Sequence, residues 1–251
     1  MRALKEHRSD IARAAERYIE SMRAADKVSP GFPQVLYLFI EYLSLHIAEK
    51  TAHNPDRILR SNWAQCSAKM ISGFTDHWMP QVILNHVLAI HAPSILRRWM
   101  IWCYKQGYFS RSALKDYLGV LPREKGRDIE RLIRAGELLH ELHCPDKALW
   151  KEKRDRVIQL NLRKSPQEEM SGRMIITELN GDKAFFRTQQ GVAVGPVLLG
   201  KPLARLLKIG DVLQVEIARF GACWHVLNSG AVFAGNAVSA GLFFVNPEPE
   251  L

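Results

Sequence analysis

The chain has 251 residues, 47% of them apolar and 24% charged, with four scattered cysteines and a formal net charge of +9. This is the composition of a soluble globular protein large enough for one large domain or two ordinary ones. It argues against a disulfide framework, and no apolar run is long enough to span a bilayer. The surplus charge is concentrated: residues 97–164 hold 17 Lys and Arg against 9 Asp and Glu, which directs attention to a polyanionic partner, nucleic acid first and an acidic protein surface second.

In chain order, Leu4, Ile11, Ala15, Tyr18 and Met22 recur at helical spacing and predict a first helix, ended by Ser29-Pro30-Gly31. Leu36, Phe39, Ile40, Leu43 and Ile47 mark a second. Its further apolar residues Val35, Tyr37 and Leu45 predict burial nearly all round. Asn54-Pro55 is a cap and first-turn pair for a third helix from Asp56 to Phe74, and Pro80 and Pro93 are read as opening two more. Ser110 or Ser112 caps a short helix holding Leu114, Tyr117 and Leu118. The last helix begins near Gly126 and carries Ile129, Leu132, Ile133 and Leu139.

After Cys144-Pro145-Asp146 the period changes from helical to two. Ile158, Leu160 and Leu162 alternate with polar residues, and Met174–Leu179, Asn180-Gly181-Asp182 and Ala184–Thr188 form a hairpin signal, because Asn-Gly supplies the positive φ of a tight turn. Val192–Leu199, Val212–Ala218 and Cys223–Leu227 are further strands. The expected organisation is α+β: an all-α N-terminal domain over 1–145, a basic junction over 146–155, and a small OB-like or SH3-like β-barrel over 156–238. An apolar C-terminal segment and tail over 239–251 follow, with Gly241–Val245 expected to dock rather than remain in water.

Between the strand ending at Leu199 and the one starting at Val212, Lys201-Pro-Leu-Ala-Arg-Leu-Leu-Lys-Ile-Gly210-Asp211 forms a short helical turn leading into a strand. Residues 170–235 therefore resemble the oligonucleotide-binding (OB) barrels, in which a helix often links strands three and four and a Gly-Asp turn opens the fourth. The resemblance implies single-strand binding by aromatics within a basic groove, with Phe185, Phe186, Phe220 and Trp224 as stacking candidates near Arg173, Lys183, Arg187 and Arg219. Phe185 and Phe186 point to opposite faces if both lie in one strand, so at most one is exposed. Ser94–Phe109, rich in Arg and Trp, looks like the end of the helical core-binding domain of tyrosine recombinases, to which residues 34–109 are similar in helix lengths. The catalytic constellation of that family has no counterpart in the remaining sequence.

The expected function is non-catalytic binding of nucleic acid, DNA or RNA, by a central basic surface. Its contact residues are Arg97, Arg98, Lys105, Arg111, Lys115, Arg127, Lys153 and Arg154, with Phe186 and Trp224 of the barrel for stacking. Along the last helix Asp128 is expected to pair with Arg131, and Glu130 with Arg134. An adaptor with a protein-binding barrel is the alternative, and a metal-independent nuclease using His140 or His143 is a third reading. His140-Glu-Leu-His143-Cys144 departs from the zincin spacing, and Arg134 and His140 are out of alignment on a helix, so no catalytic residue, metal or cofactor is assigned. The charged N-terminus has no secretory-type apolar segment, and the unpaired cysteines suit a reducing compartment, so the expected location is cytoplasmic.

Overall fold

The computed structural model describes residues 10–26, 31–50, 63–82, 86–143 and 166–235. The strand expected over 156–162, the junction 146–155 and the segment 239–251 lie outside them. The architecture is mixed α+β, with helices in the N-terminal part and a five-stranded sheet toward the C-terminus. Contacts divide the chain into two compact units, Met1–Ile129 and Glu130–Leu251.

In the first unit, α1 (Asp10–Ala24) buries Ile11, Ala14, Ala15, Tyr18 and Ile19 along one stripe. Gly31, at φ +82, turns the chain into α2 (Phe32–Lys50). This helix buries Phe32, Val35, Leu36, Phe39, Tyr42 and Leu43, while Tyr37 and Leu45 are 51% and 55% exposed. The all-round burial expected of α2 is thus corrected to a single buried side, since one face suffices to close this core. Helix α3 (Ala68–Gly73) begins at Ser67, whose hydroxyl accepts the Met70 N–H, so the residues from Trp63 to Ser67 are not the helix expected there.

Pro80 does not open a separate helix. A π-helical turn (Phe74–Trp78) joins α3 directly to α4 (Met79–Val82), with the Met79 N–H donating to Phe74 O across five residues. The wider turn falls immediately before a residue that has no N–H to donate. Pro93 likewise lies inside α5 (His86–Lys105). Leu88, Ala92, Ile95, Trp99 and Cys103 form one buried stripe across it, and burial of several such side chains outweighs the roughly 3 kcal/mol that an internal proline costs. Ser110 caps α6 (Arg111–Val120), accepting from the Ala113 N–H, and α7 (Lys125–His143) follows.

The division between units falls within α7. Its second half presents Leu132, Ala135 and Leu139 to the core of the sheet, so these positions belong with the strands rather than with the preceding helices. The strands are β1 (Glu168–Asn180), β2 (Lys183–Thr188), β3 (Ala193–Leu198), β4 (Val212–Phe220) and β5 (Cys223–Phe233). They bond in the order β1-β2-β3-β5-β4, and β4 returns to β1, so the sheet closes on itself, with β3 and β5 joined through Val197–Trp224 and Leu198–His225. Gly181, at φ +66, makes the predicted β1–β2 turn, and the short helix α8 (Lys201–Ala204) links β3 to β4. Met174, Ile176, Phe186, Val197, Leu213, Val215 and Trp224 fill the interior.

Candidate nucleic-acid interface

The β2 sequence Lys183-Ala-Phe-Phe-Arg-Thr188 sorts its side chains by the two-residue period of a strand. Ala184 and Phe186 are buried at 0% and 1%, whereas Lys183 and Arg187 are exposed and Phe185 is half-buried between them. Phe186 is therefore corrected from a stacking candidate to a core residue, and Phe185 takes its place on the outer face. Trp224, at 5%, is corrected in the same sense: it faces inward opposite Val197, with the Arg219 guanidinium 5.9 Å from its ring. A closed sheet of five strands must be filled by large apolar side chains, and these two aromatics are among its filling.

Two strand irregularities converge on Phe185. On β1, Ile176 pairs with Phe186 and Glu178 with Phe185, which leaves Thr177 as an extra residue. Its hydroxyl donates to Phe185 O at 3.1 Å. On β3, Val194 pairs with Phe186 and Val197 with Ala184, so Gly195 and Pro196 together oppose Phe185. Gly195 has φ +155, and a Cβ placed there would lie 2.6 Å from Phe185 Cδ1. The ring thus rests on bare β3 backbone, a close approach that only glycine allows. Bulges reorient the residues opposite them, and here two act on one aromatic.

Register extends the same face. Lys183 lies opposite Leu198, and Leu198 opposite His225 of β5. The Phe220 ring stands edge-on to His225 at 5.8 Å. Burial lowers the pKa of His225, which favours its neutral form. Lys183, Phe185, Arg187, Leu198 and His225 thus combine two exposed cations with flat and apolar surface. A groove of about 380 Å³ elsewhere on the sheet is lined by Ser171, Gln214, Glu216 and Asn228, a set with a carboxylate and no cation that does not suit phosphate.

Of the central basic residues, Arg98, Lys105, Arg111, Lys115 and Arg127 are exposed in the first unit. Arg98 and Lys105 lie seven residues apart on α5, and Arg111 and Lys115 four apart on α6, so each pair shares a helix side. Arg97 is half-buried, and its guanidinium donates to Leu121 O at 2.7 Å and ties α5 to the end of α6. Lys153 and Arg154 lie outside the described residues. Arg131 is drawn away from the solvated helix face expected of it, pairing bidentately with buried Asp211 at 2.6 and 3.0 Å and donating to Leu206 O at 2.7 Å.

No family model, curated protein or solved structure matches this chain. The functional reading therefore stands on its residues. Among the described residues no three His, Cys, Asp or Glu side chains are grouped to hold a metal ion, and no helix is long and apolar enough to cross a membrane. Phe185, Lys183 and Arg187 are all candidates in the sequence, where Phe186 rather than Phe185 is expected at the interface. The missed signal was local: Phe185 is flanked at two-residue spacing by Lys183 and Arg187, which marks its side of the strand as the wet one.

Proposed function

We propose that this protein binds single-stranded nucleic acid on the outer face of β2 and β3, and that its closed sheet is an OB-like barrel. The observation that carries the reading is the stripe Lys183, Phe185, Arg187, a half-exposed aromatic between two exposed cations on one side of one strand. Bases stack on such a ring without regard to sequence while the cations meet the phosphates on either side. A duplex keeps its bases stacked inside, so the ring favours an unpaired strand. The strand order, the helix between β3 and β4 and the Gly210-Asp211 turn support the OB-like barrel, whose second and third strands offer an oligonucleotide face. Within the first unit, Arg98, Lys105, Arg111, Lys115 and Arg127 are a separate set of exposed cations suited to phosphate without base preference.

The test is fluorescence anisotropy with a labelled single strand and the matching duplex at low salt. The single strand should bind more tightly, and Phe185→Leu, which keeps an apolar side chain over Gly195 but removes the flat ring, should weaken it about tenfold at unchanged fold. Failure to bind any strand at low salt, or full affinity of the Leu variant, overturns the reading.

A further inference from the structure

The face just described contains a carboxylate that a polyanion-binding surface has no electrostatic reason to carry. Glu178 pairs in register with Phe185, so both side chains leave the sheet on its outer side. It is exposed, and among the described residues it makes no ion pair. Its position is built: the Thr177 bulge sets it opposite Phe185, and the Thr177 hydroxyl fastens that bulge to Phe185 O. On the other side of the ring Gly195 offers no side chain at all. A base lying on Phe185 therefore has bare backbone toward β3 and an acceptor-only group toward β1.

We propose that Glu178 is a specificity-determining residue of this site and that the Phe185 platform selects bases with an exocyclic amino group over thymine and uracil. The inference rests on the single-strand reading above. A carboxylate accepts a hydrogen bond from the N4 amino group of cytosine, whereas the O4 carbonyl of thymine or uracil, a second acceptor at the same place, is repelled. The two pyrimidines offer similar area for stacking, so the edge decides between them. A negative charge amid Lys183 and Arg187 lowers affinity for every strand, and it discriminates by lowering that for the wrong base most.

Anisotropy titrations with labelled oligodeoxycytidine and oligodeoxythymidine of equal length test this at one salt concentration, using wild type, Glu178→Gln and Phe185→Leu. Wild type should bind the cytidine strand about tenfold more tightly. Glu178→Gln, whose amide both donates and accepts, should bring the two strands within about twofold of each other, mainly by gaining affinity for thymidine. Phe185→Leu should weaken both. Equal binding of the two strands by wild type, or an undiminished preference in the Gln variant, overturns the role of Glu178 and leaves single-strand binding standing. No binding of either strand by wild type removes both readings.

Discussion

Adjacent phenylalanines in β2 have opposite roles because a strand turns successive side chains to opposite faces. Phe186, 1% exposed, should cost about 3–5 kcal/mol of stability when changed to Ala, read by chemical denaturation, with affinity altered only through unfolding. Phe185→Leu should do the reverse, leaving the melting temperature nearly unchanged while weakening binding. His225 gives a pH signature. Burial lowers its pKa from the ordinary 6.5, so the unfolded chain takes up the proton before the folded one. That residue contributes no pH dependence well above 6.5 and a progressive loss of stability as pH falls through 6.5 toward its folded value. His225→Gln should therefore flatten the fall in melting temperature between about pH 7 and about pH 5; an identical slope in the variant would place the titration elsewhere. Burial also pushes the Cys66 thiol up to about 12 and raises that of Cys103. Both should resist a thiol reagent in the native protein and react on denaturation, measured by the number of thiols released.

At the scale of elements, a buried ion pair joins α7 to the turn before β4, beside the apolar contact of Leu132, Ala135 and Leu139 with the sheet core. Asp211 accepts from Arg131 at 2.6 and 3.0 Å and from the Lys208 N–H at 2.8 Å, with its side chain 5% exposed and that of Arg131 15%. Asp211→Ala removes the acceptor of all three of these bonds, and should cost about 3–5 kcal/mol in a denaturation curve. Arg131→Met combined with Asp211→Ala should cost less than the two single changes added, because the two side chains are in direct contact. A second buried group in the helical unit follows the same logic: Asp76 meets Lys125 Nζ at 2.6 Å and accepts from the Ser72 hydroxyl at 2.7 Å. The strands carry a steric analogue. Gly195→Ala would drive a Cβ into the Phe185 ring, and should cost about 1–3 kcal/mol and weaken strand binding together, since the platform and its seat are one contact.

For the whole molecule, the charge distribution predicts a salt dependence. With the two β2 cations neutralising phosphates, log affinity for a single strand should fall against log salt with a slope of at least about −1.4. Phosphate contacts made independently by Arg98, Lys105 or Arg111 of the first unit would each show as about −0.7 more. Changing those three to Glu should weaken all strands alike and make the slope shallower without altering the ratio of affinities for the cytidine and thymidine strands. Arg97 is excluded from that set, because its bond to Leu121 O makes its loss a matter of helix packing.

Features that depend on local spacing were legible in the order of residues. The helical stripes of α1 and α6, the Asn180-Gly181 turn, the strands from Met174 to Leu227 and the short helix between β3 and β4 all follow from periods and turn residues within a few positions of one another. The same order also contained the outer face of β2, in the alternation of Lys183, Phe185 and Arg187 with Ala184 and Phe186. Tertiary structure decided what depends on partners far along the chain. Pro93 reads as a helix start until the buried stripe on both sides of it is seen to be continuous, and Pro80 until the helical backbone is seen to run on through it from the π-turn. Arg97 and Arg131 are indistinguishable in sequence from solvated cations, and only Leu121 O, Leu206 O and Asp211 make them structural. The pairing of Glu178 and Gly195 with the two sides of Phe185 is likewise a matter of register across three strands, set by bulges that no local pattern announces. Local propensity fixes which face of an element is dry; only packing fixes which distant residue that face meets.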